Sequence, residues 1–362
     1  MNWDMSLEIE LNRRKGRGAN SNISGRFEKF ERVEESDDWE IPEERGQFKT
    51  ELRYEQARSL ISYNRSPDLP FDRSINPYRG CEHGCIYCFA RPSHAFLGMS
   101  PGLDFETKLI AKTNAAEVLE QELRSKSYSV KPIAIGTNTD PYQPIEKKEK
   151  IVRACLKVLQ AYQHPVAIVT KGTLIERDID ILAPMAHVGL VRVGISMTSL
   201  GRDLARRMEP RVPSPARKLE TISRLSNAGI PVRVMVSPIV PALTDPELEK
   251  ILEAAKNAGA ETASWIMLRL PREVSNLFSN WLNEHYPERA SRVMSHLKDM
   301  HGGKTYDAAW HHRMRGIGPY AQLVADRFDR ACRAQGLEKH APNLRTDLFQ
   351  IPNRLSDQLS LF

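Results

Sequence analysis

Residues 80–92 read GCEHGCIYCFARP and place Cys81, Cys85 and Cys88 within eight residues, while the rest of the chain holds only Cys155 and Cys332. Thiolates are soft ligands. Their x3 and x2 spacings, with Gly80 and Gly84 freeing the backbone to fold back, suit a loop wrapped around a metal group. The number three limits the choices. A structural zinc takes four protein ligands, normally as two pairs, and no second pair follows. His94, or His83 inside the loop, would complete a Cys3His site, so ligand count alone leaves zinc open. A four-iron cube held by three thiolates keeps one iron free of protein. Three unliganded core cysteines are the poorest reading, because a polar, glycine-rich loop is a bad place to bury them.

On either side of this loop, short β-branched runs alternate with amphipathic stretches, the pattern of βα units around a parallel sheet. The expected strands are Ser74 to Asn76, Ile133 to Thr137, Val166 to Thr170, Val191 to Met197, Val232 to Val236 and Ser264 to Leu268. The helical stretches between them are NAAEVLEQELRS, EKIVRACLKVLQAY, ERDIDILAPMAHV, ARKLETISRLSNAG and DPELEKILEAAKNAG, two of which end in a glycine suited to a left-handed cap. Six such units predict an α/β protein with a partial (β/α)6 TIM-like barrel, and an open doubly wound sheet is the alternative. In both, ligands gather at the carboxyl ends of the strands, where TNTDPYQPIE, TKG, SMTS and SPIVP fall. After Glu273 the pattern turns helical. The expected division is a disordered charged segment at 1–50, the barrel at 51–275, a helical extension at 276–337 and an extended tail at 338–362.

The chain has 362 residues, 41% of them hydrophobic, enough for one large α/β domain with extensions. Five cysteines, three of them clustered, do not resemble a disulfide framework. No run of eighteen apolar residues and no signal-peptide core occur, so neither membrane insertion nor export is expected and the cytoplasm is the default. The net charge of +6 permits a polyanionic partner without requiring one. Between Asn12 and Phe27 there are five basic residues and no acid, and between Glu34 and Glu44 seven acids and no base. Such blocks predict a disordered segment whose basic half can lie on phosphates.

The cysteine loop, with Tyr87 before the last cysteine and a strand just ahead of it, resembles the radical S-adenosylmethionine (radical SAM) superfamily. SPDLPFDRSINPYRGCEHGCIYCFARPSHAFLGMSPGLDFETKLIAK, GTNTDPYQPIEKK, TKGTLIERDIDIL, MEPRVPSPARKLETISRLSNAGIPV and SPIVPALTD are similar to a bacterial group related to spore photoproduct lyase. The resemblance implies a [4Fe-4S] cluster on Cys81, Cys85 and Cys88 whose open iron takes the amino and carboxylate groups of S-adenosylmethionine. It also implies reductive cleavage to a 5′-deoxyadenosyl radical, an external electron donor of flavodoxin or ferredoxin type, and Thr139, Asp140, Lys171 and Ser196 facing S-adenosylmethionine. Each residue type fits, since Lys171 can pair with a carboxylate while Ser196 and Asp140 can bond ribose hydroxyls or the amino group. Strand-end capping and salt bridging account for these residues equally well.

The sequence departs from the family where photoproduct lyases carry a hydrogen-donating cysteine after the second strand. GTNTDPYQP has none, which puts thymine-dimer activity in doubt; Tyr87 and Tyr142 are candidate radical relays, and aromatic packing around the cluster explains them equally well. Cys155 lies on an apolar helix face, and Cys332 on a charged helix without a nearby partner, so both read as structural. The turn Gly316-Ile317-Gly318-Pro319 looks like a helix-hairpin-helix phosphate clamp, although an ordinary helix-connecting turn accounts for it better. His301 to Lys304, His311 and His312 read as surface loop. At the C-terminus, Gln358, Leu359, Leu361 and Phe362 match the peptide by which bacterial repair proteins dock on the DNA sliding clamp. The leading expectation is a radical SAM enzyme acting on nucleic acid or in DNA repair. The competing class is a non-catalytic zinc-stabilised nucleic-acid adaptor with Cys81, Cys85, Cys88 and His94 on the metal.

Overall fold

The structure, a computed structural model, describes residues 16–28 and 48–353. Among the described residues ten strands form two sheets: β1 (Glu51–Glu55), β2 (Ile61–Tyr63), β3 (Arg73–Ile75), β4 (Tyr78–Arg79), β5 (Lys108–Lys112), β6 (Ile133–Ile135), β7 (Val166–Thr170), β8 (Val191–Met197), β9 (Val232–Ile239) and β10 (Thr262–Met267). The larger sheet runs β10-β9-β8-β7-β6-β3-β2. From β3 through β10 its neighbours are parallel, and β2 closes the series antiparallel to β3. Each βα unit therefore lies beside the next, with no reversal of strand order. That order decides for the partial barrel, since a doubly wound sheet must reverse at a switch point.

The strands form where β-branched runs recur, and their burial follows from two-sided packing. Val193, Ile195 and Met197 of β8 and Val232, Val234 and Val236 of β9 are buried, as are Leu156, Leu159, Leu182, Ile222, Leu225, Ile251 and Leu252 on the covering helices. Each such side chain contributes roughly 1.5–3 kcal/mol by leaving water. The helices fall at Ala115–Leu123, Ile151–Ala161, Ile179–His187, Pro215–Asn227 and Leu248–Asn257, as the periodicity predicts. Gly229 and Gly259, at φ +74° and +103°, turn the last two into β9 and β10. Cys155 is buried on the second of these helices and Cys332 on Pro319–Gln335, both as free thiols.

Three features differ from the sequence expectations. A second sheet, β1-β5-β4, stands outside the barrel. The charged residues of ELRYE and KLIAK mask their two-residue alternation, and the strands are legible only once they pair in parallel, Glu51 opposite Lys108 through Glu55 opposite Lys112. The helical extension begins at Glu273, inside the expected barrel domain, because Glu273–His285 is one continuous helix. Residues 16–28 do not behave as a solvated charged tail: Gly18 and Ala19 are buried against the barrel's flank. The remainder of the expected disordered segment, 1–15 and 29–47, and the clamp-like peptide at 358–362 lie outside the described residues.

The extension covers the open edge of the barrel. Ala263 of β10 donates to Glu338 O at 2.8 Å and Met267 to Met314 O at 2.9 Å, so segments beyond the barrel satisfy an edge that would otherwise present free backbone groups. The turn Gly316 to Pro319 starts the helix Pro319–Gln335, and Ile317 donates to Met300 O at 3.0 Å, tying that turn to the preceding helix. From Lys339 to Asn353 the described chain forms no helix or strand and crosses the barrel's helices through Arg345 N to Gly189 O (3.0 Å) and Gln350 N to Tyr162 O (3.1 Å).

Candidate active site

The cysteine loop leaves β4 and is pinned from several directions. Cys81 N donates to Phe105 O at 2.9 Å, Ile86 N to Met208 O at 3.1 Å and Cys88 N to Cys85 O at 3.2 Å. Gln143, from the segment after β6, accepts from Glu82 N (2.9 Å) and donates to Gly80 O (3.2 Å). Gly84 has φ +65°, and a β carbon there would come within 2.6 Å of the Glu106 carboxylate, so the position takes only glycine. Beneath the loop lies Arg91, fully buried. It donates to Cys85 O (3.0 Å), Gly84 O (3.2 Å), Pro101 O (3.2 Å) and Gly102 O (2.9 Å), and pairs with the equally buried Glu106.

This clamp takes up two of the loop's carbonyls, those of Gly84 and Cys85, and ties them to the segment at Pro101 and Gly102. Burial raises the pKa of all three cysteine thiols; Asp140 and the other two thiols add to the effect at Cys81, Glu209 adds at Cys85, and Lys171 opposes it at Cys85 and Cys88. Among the described residues no three His, Cys, Asp or Glu side chains converge on one point as a single metal ion requires. His94 does not complete a zinc site. It is fully buried, its Nε2 is 2.9 Å from Lys108 O, and its ring packs edge-on against Phe105. Three soft donors with no convergent fourth fit a polynuclear iron–sulfur group, whose thiolates bind different irons, and do not fit mononuclear zinc.

Beside the thiols, at the carboxyl ends of β7 to β9, lies a buried charge network. Lys171 Nζ is 3.0 Å from Glu209 Oε1 and donates to Ser196 Oγ (2.8 Å) and Ser237 O (3.1 Å). Glu209 Oε2 takes Lys218 at 3.2 Å, while Oε1 accepts from Thr198 at 2.7 Å and from the Tyr87 hydroxyl. Burial alone would raise the Glu209 carboxyl, but Lys171 and Lys218 outweigh it and hold the group well below the usual carboxylate range. Lys171 stays charged because Glu209 and Cys85 more than offset its desolvation. Lys218 is pushed down by burial against the pull of Glu209.

The structure brings Cys81, Cys85, Cys88, Tyr87, Lys171 and Ser196 into one neighbourhood. Asp140 is part of it as a framework group. Its carboxylate accepts from Thr170 Oγ1 (2.6 Å), Tyr142 N (2.9 Å) and Lys171 N (2.7 Å), and His83 Nδ1 lies 3.4 Å away. Thr139 donates its hydroxyl to Tyr78 O at 3.2 Å, supporting the strand that feeds the loop. Tyr142 is not drawn toward the thiols. Its buried hydroxyl, pushed up by burial and then by Asp178 and Glu146, belongs to the charged layer under the helices.

Arg91, Glu106, Glu209 and Lys218 were not legible as site residues. Tyr87 and Glu209 are 122 residues apart and Arg91 and Glu106 are 15 apart, so no local spacing links them. The available signal was their placement within family-like stretches, Arg91 and Glu106 in the one that holds the cysteine loop and Glu209 and Lys218 in MEPRVPSPARK.

Comparison with known proteins agrees with this geometry. The profile of the family described as the radical SAM superfamily matches residues 75–255. An uncharacterised protein of Mycobacterium tuberculosis is 40% identical over 246 residues, 67% of this chain and 72% of the relative. One from Methanocaldococcus jannaschii is 26% identical over 241 residues, 66% of this chain and 85% of the relative. Among solved structures, spore photoproduct lyase complexed with dinucleoside spore photoproduct superimposes with a TM-score of 0.57 at 15% identity, covering 80% of this chain and 81% of that one. A variant of that lyase with bound AdoMet and the same dinucleoside gives 0.55 at 14% identity. At such identities the likeness is one of fold.

Proposed function

The chain belongs to the radical SAM superfamily, and from that premise we propose that Cys81, Cys85 and Cys88 hold the [4Fe-4S] cluster with which it cleaves S-adenosylmethionine. It is an enzyme related in fold to spore photoproduct lyase, and the family's cofactors are a [4Fe-4S] cluster and S-adenosylmethionine. When bound, these supply a 5′-deoxyadenosyl radical from a sulfonium cleaved by one electron. The observation that supports the proposal is the loop itself: Cys81 and Cys85 buried and Cys88 half-buried on a clamped backbone, with no convergent fourth ligand among the described residues.

Around that loop the chain's own residues orient and desolvate. Lys171, its side chain 15% exposed, presents an ammonium that pairs with a carboxylate, and Ser196 holds that ammonium in place. Asp140 and Thr139 fix the loops on which the cofactor rests. Tyr87, bonded through its hydroxyl to Glu209 and Thr198, is the relay candidate nearest the thiols, with Tyr142 set apart from them. The electron comes from outside, as it does for the family, through a donor of flavodoxin or ferredoxin type, and we place the reaction in the cytoplasm.

The substrate class we assign is a nucleic-acid base, in a DNA-repair setting. Phe89 follows the last cysteine with 43% of its surface exposed, and the Arg269 guanidinium lies 4.6 Å over its ring. Exposed aromatic and arginine planes are what unstacked bases stack on. Anaerobically reconstituted, reduced protein is expected to form 5′-deoxyadenosine from S-adenosylmethionine, and Cys85→Ser to lose both the brown chromophore and that product. Cleavage by the serine variant at the wild-type rate would end the assignment. A damaged oligonucleotide should raise the yield of 5′-deoxyadenosine, and Phe89→Ala should remove the increase.

A further inference from the structure

The segment before the first strand is built into the cysteine loop. Gly18 N and Ala19 N donate to the two carboxylate oxygens of Glu106 at 2.9 and 2.8 Å, and Ala19 is 1% exposed. The same carboxylate pairs with Arg91, which donates to Gly84 O and Cys85 O in the cysteine loop. Arg17 spends its guanidinium on Glu106 O (2.9 Å), Phe48 O (2.7 Å) and Thr50 Oγ1 (3.1 Å). Thr50 in turn donates to Glu82 Oε1 at 2.7 Å, one residue past Cys81.

Contact is as close as backbones allow. A β carbon on Gly18 would stand 1.9 Å from Gly84 O, so the strap passes directly over the glycine that bends the cysteine loop. Farther along, Ser21 O accepts from Leu103 N (3.2 Å), Asn22 bonds Asp104 (3.0 Å) and Ile23 O accepts from Ser100 Oγ. A buried carboxylate needs every one of its donors, and two of those on Glu106 come from the strap. The basic side chain at position 17 is thus committed within the protein and is not presented to phosphates.

We propose that residues 17–23 form the outer wall of the cofactor site and, acting through Glu106 and Arg91, hold the cysteine loop in its ligand-binding shape and shield its metal group from solvent. Arg17, Gly18, Glu106 and Arg91 are positioning residues in this scheme. The inference rests on the proposal that the three cysteines hold a cluster.

The test uses the full-length protein, reconstituted anaerobically, and follows iron release to a coloured ferrous chelator. Gly18→Val, which blocks the close approach, and the gentler Arg17→Met are expected to release iron about tenfold faster than wild type, the scale of one lost buried hydrogen bond. Thermal unfolding of the metal-free variants is measured alongside, because the strap reaches the core at Ala19, and iron release is compared at a temperature where each variant remains fully folded. Wild-type release rates in both variants would overturn the inference. Hydrogen exchange of peptide 80–92 in metal-free protein separates the two proposals. Faster exchange in the variants supports the strap even if wild type binds no iron, a result that would instead remove the cluster assignment. Unchanged exchange removes the strap.

Discussion

Glu209 is the acid that allows two lysines to lie buried beside the cysteine loop. Its oxygens serve Lys171, Lys218, Thr198 and Tyr87 together, and without it two ammonium groups would stand close to each other in a dry site. Glu209→Gln should therefore lower stability by roughly 3–5 kcal/mol in chemical denaturation, the cost of an unpaired buried charge. Adding Lys218→Met should restore part of the loss, and a double variant as weak as the single one would contradict the charge explanation. At this scale legibility follows distance along the chain. The three cysteines announce themselves because all three sit in eight residues. Glu209 and Glu106 looked like any other acid, because burial and partners drawn from remote strands set their roles.

Among the elements, the turn into β7 shows how one buried histidine ties several segments together. His164 Nδ1 is 2.9 Å from Pro165 O, which can only accept, so Nε2 is the acceptor for the Tyr128 hydroxyl at 2.6 Å. Phe349 of the C-terminal tail packs edge-on against the same ring at 5.6 Å. Burial, against the pull of the Pro165 carbonyl, lowers the His164 pKa from 6.5 to about 4. Between those values the unfolded chain binds the extra proton and the folded one does not. This contribution to stability is complete above pH 6.5 and is lost as the pH falls toward 4, with a slope approaching 1.36 kcal/mol per unit. Denaturation midpoints measured between pH 7 and 4.5 should follow that slope, and His164→Gln should flatten it; an equally steep dependence in the variant would exclude His164 as its source. The barrel strands and helices were legible because their apolar periodicity is local. The sheet β1-β5-β4 was not, since charged residues mask the short buried face of β5, Leu109 and Ala111, and its partner strand β1 lies far away in sequence.

For the whole molecule, the C-terminal segments close what the barrel leaves open and then run along its helices to the last described residue, Asn353. No helix of the described residues is long and apolar enough to cross a membrane. Gln358 to Phe362 lie outside the described residues, and the resemblance of this peptide to sliding-clamp docking sequences is tested by removing it. Deletion should abolish binding to a bacterial sliding clamp and leave S-adenosylmethionine cleavage intact; undiminished clamp binding would end the idea. By itself the sequence determined the βα series, the three-thiol loop and the family, since periodicity and ligand spacing are written in neighbouring residues. The tertiary structure decided that the series is a barrel, through a strand order without reversal. It also decided that His94 is buried against Lys108 O and Phe105, that Lys171 answers to Glu209, and that Gly18 and Ala19 bond the Glu106 carboxylate beside the cysteine loop. Each of these depends on groups tens of residues apart meeting out of water, where an unpaired charge or hydrogen-bonding group is too costly to leave, and only the folded chain fixes which groups meet.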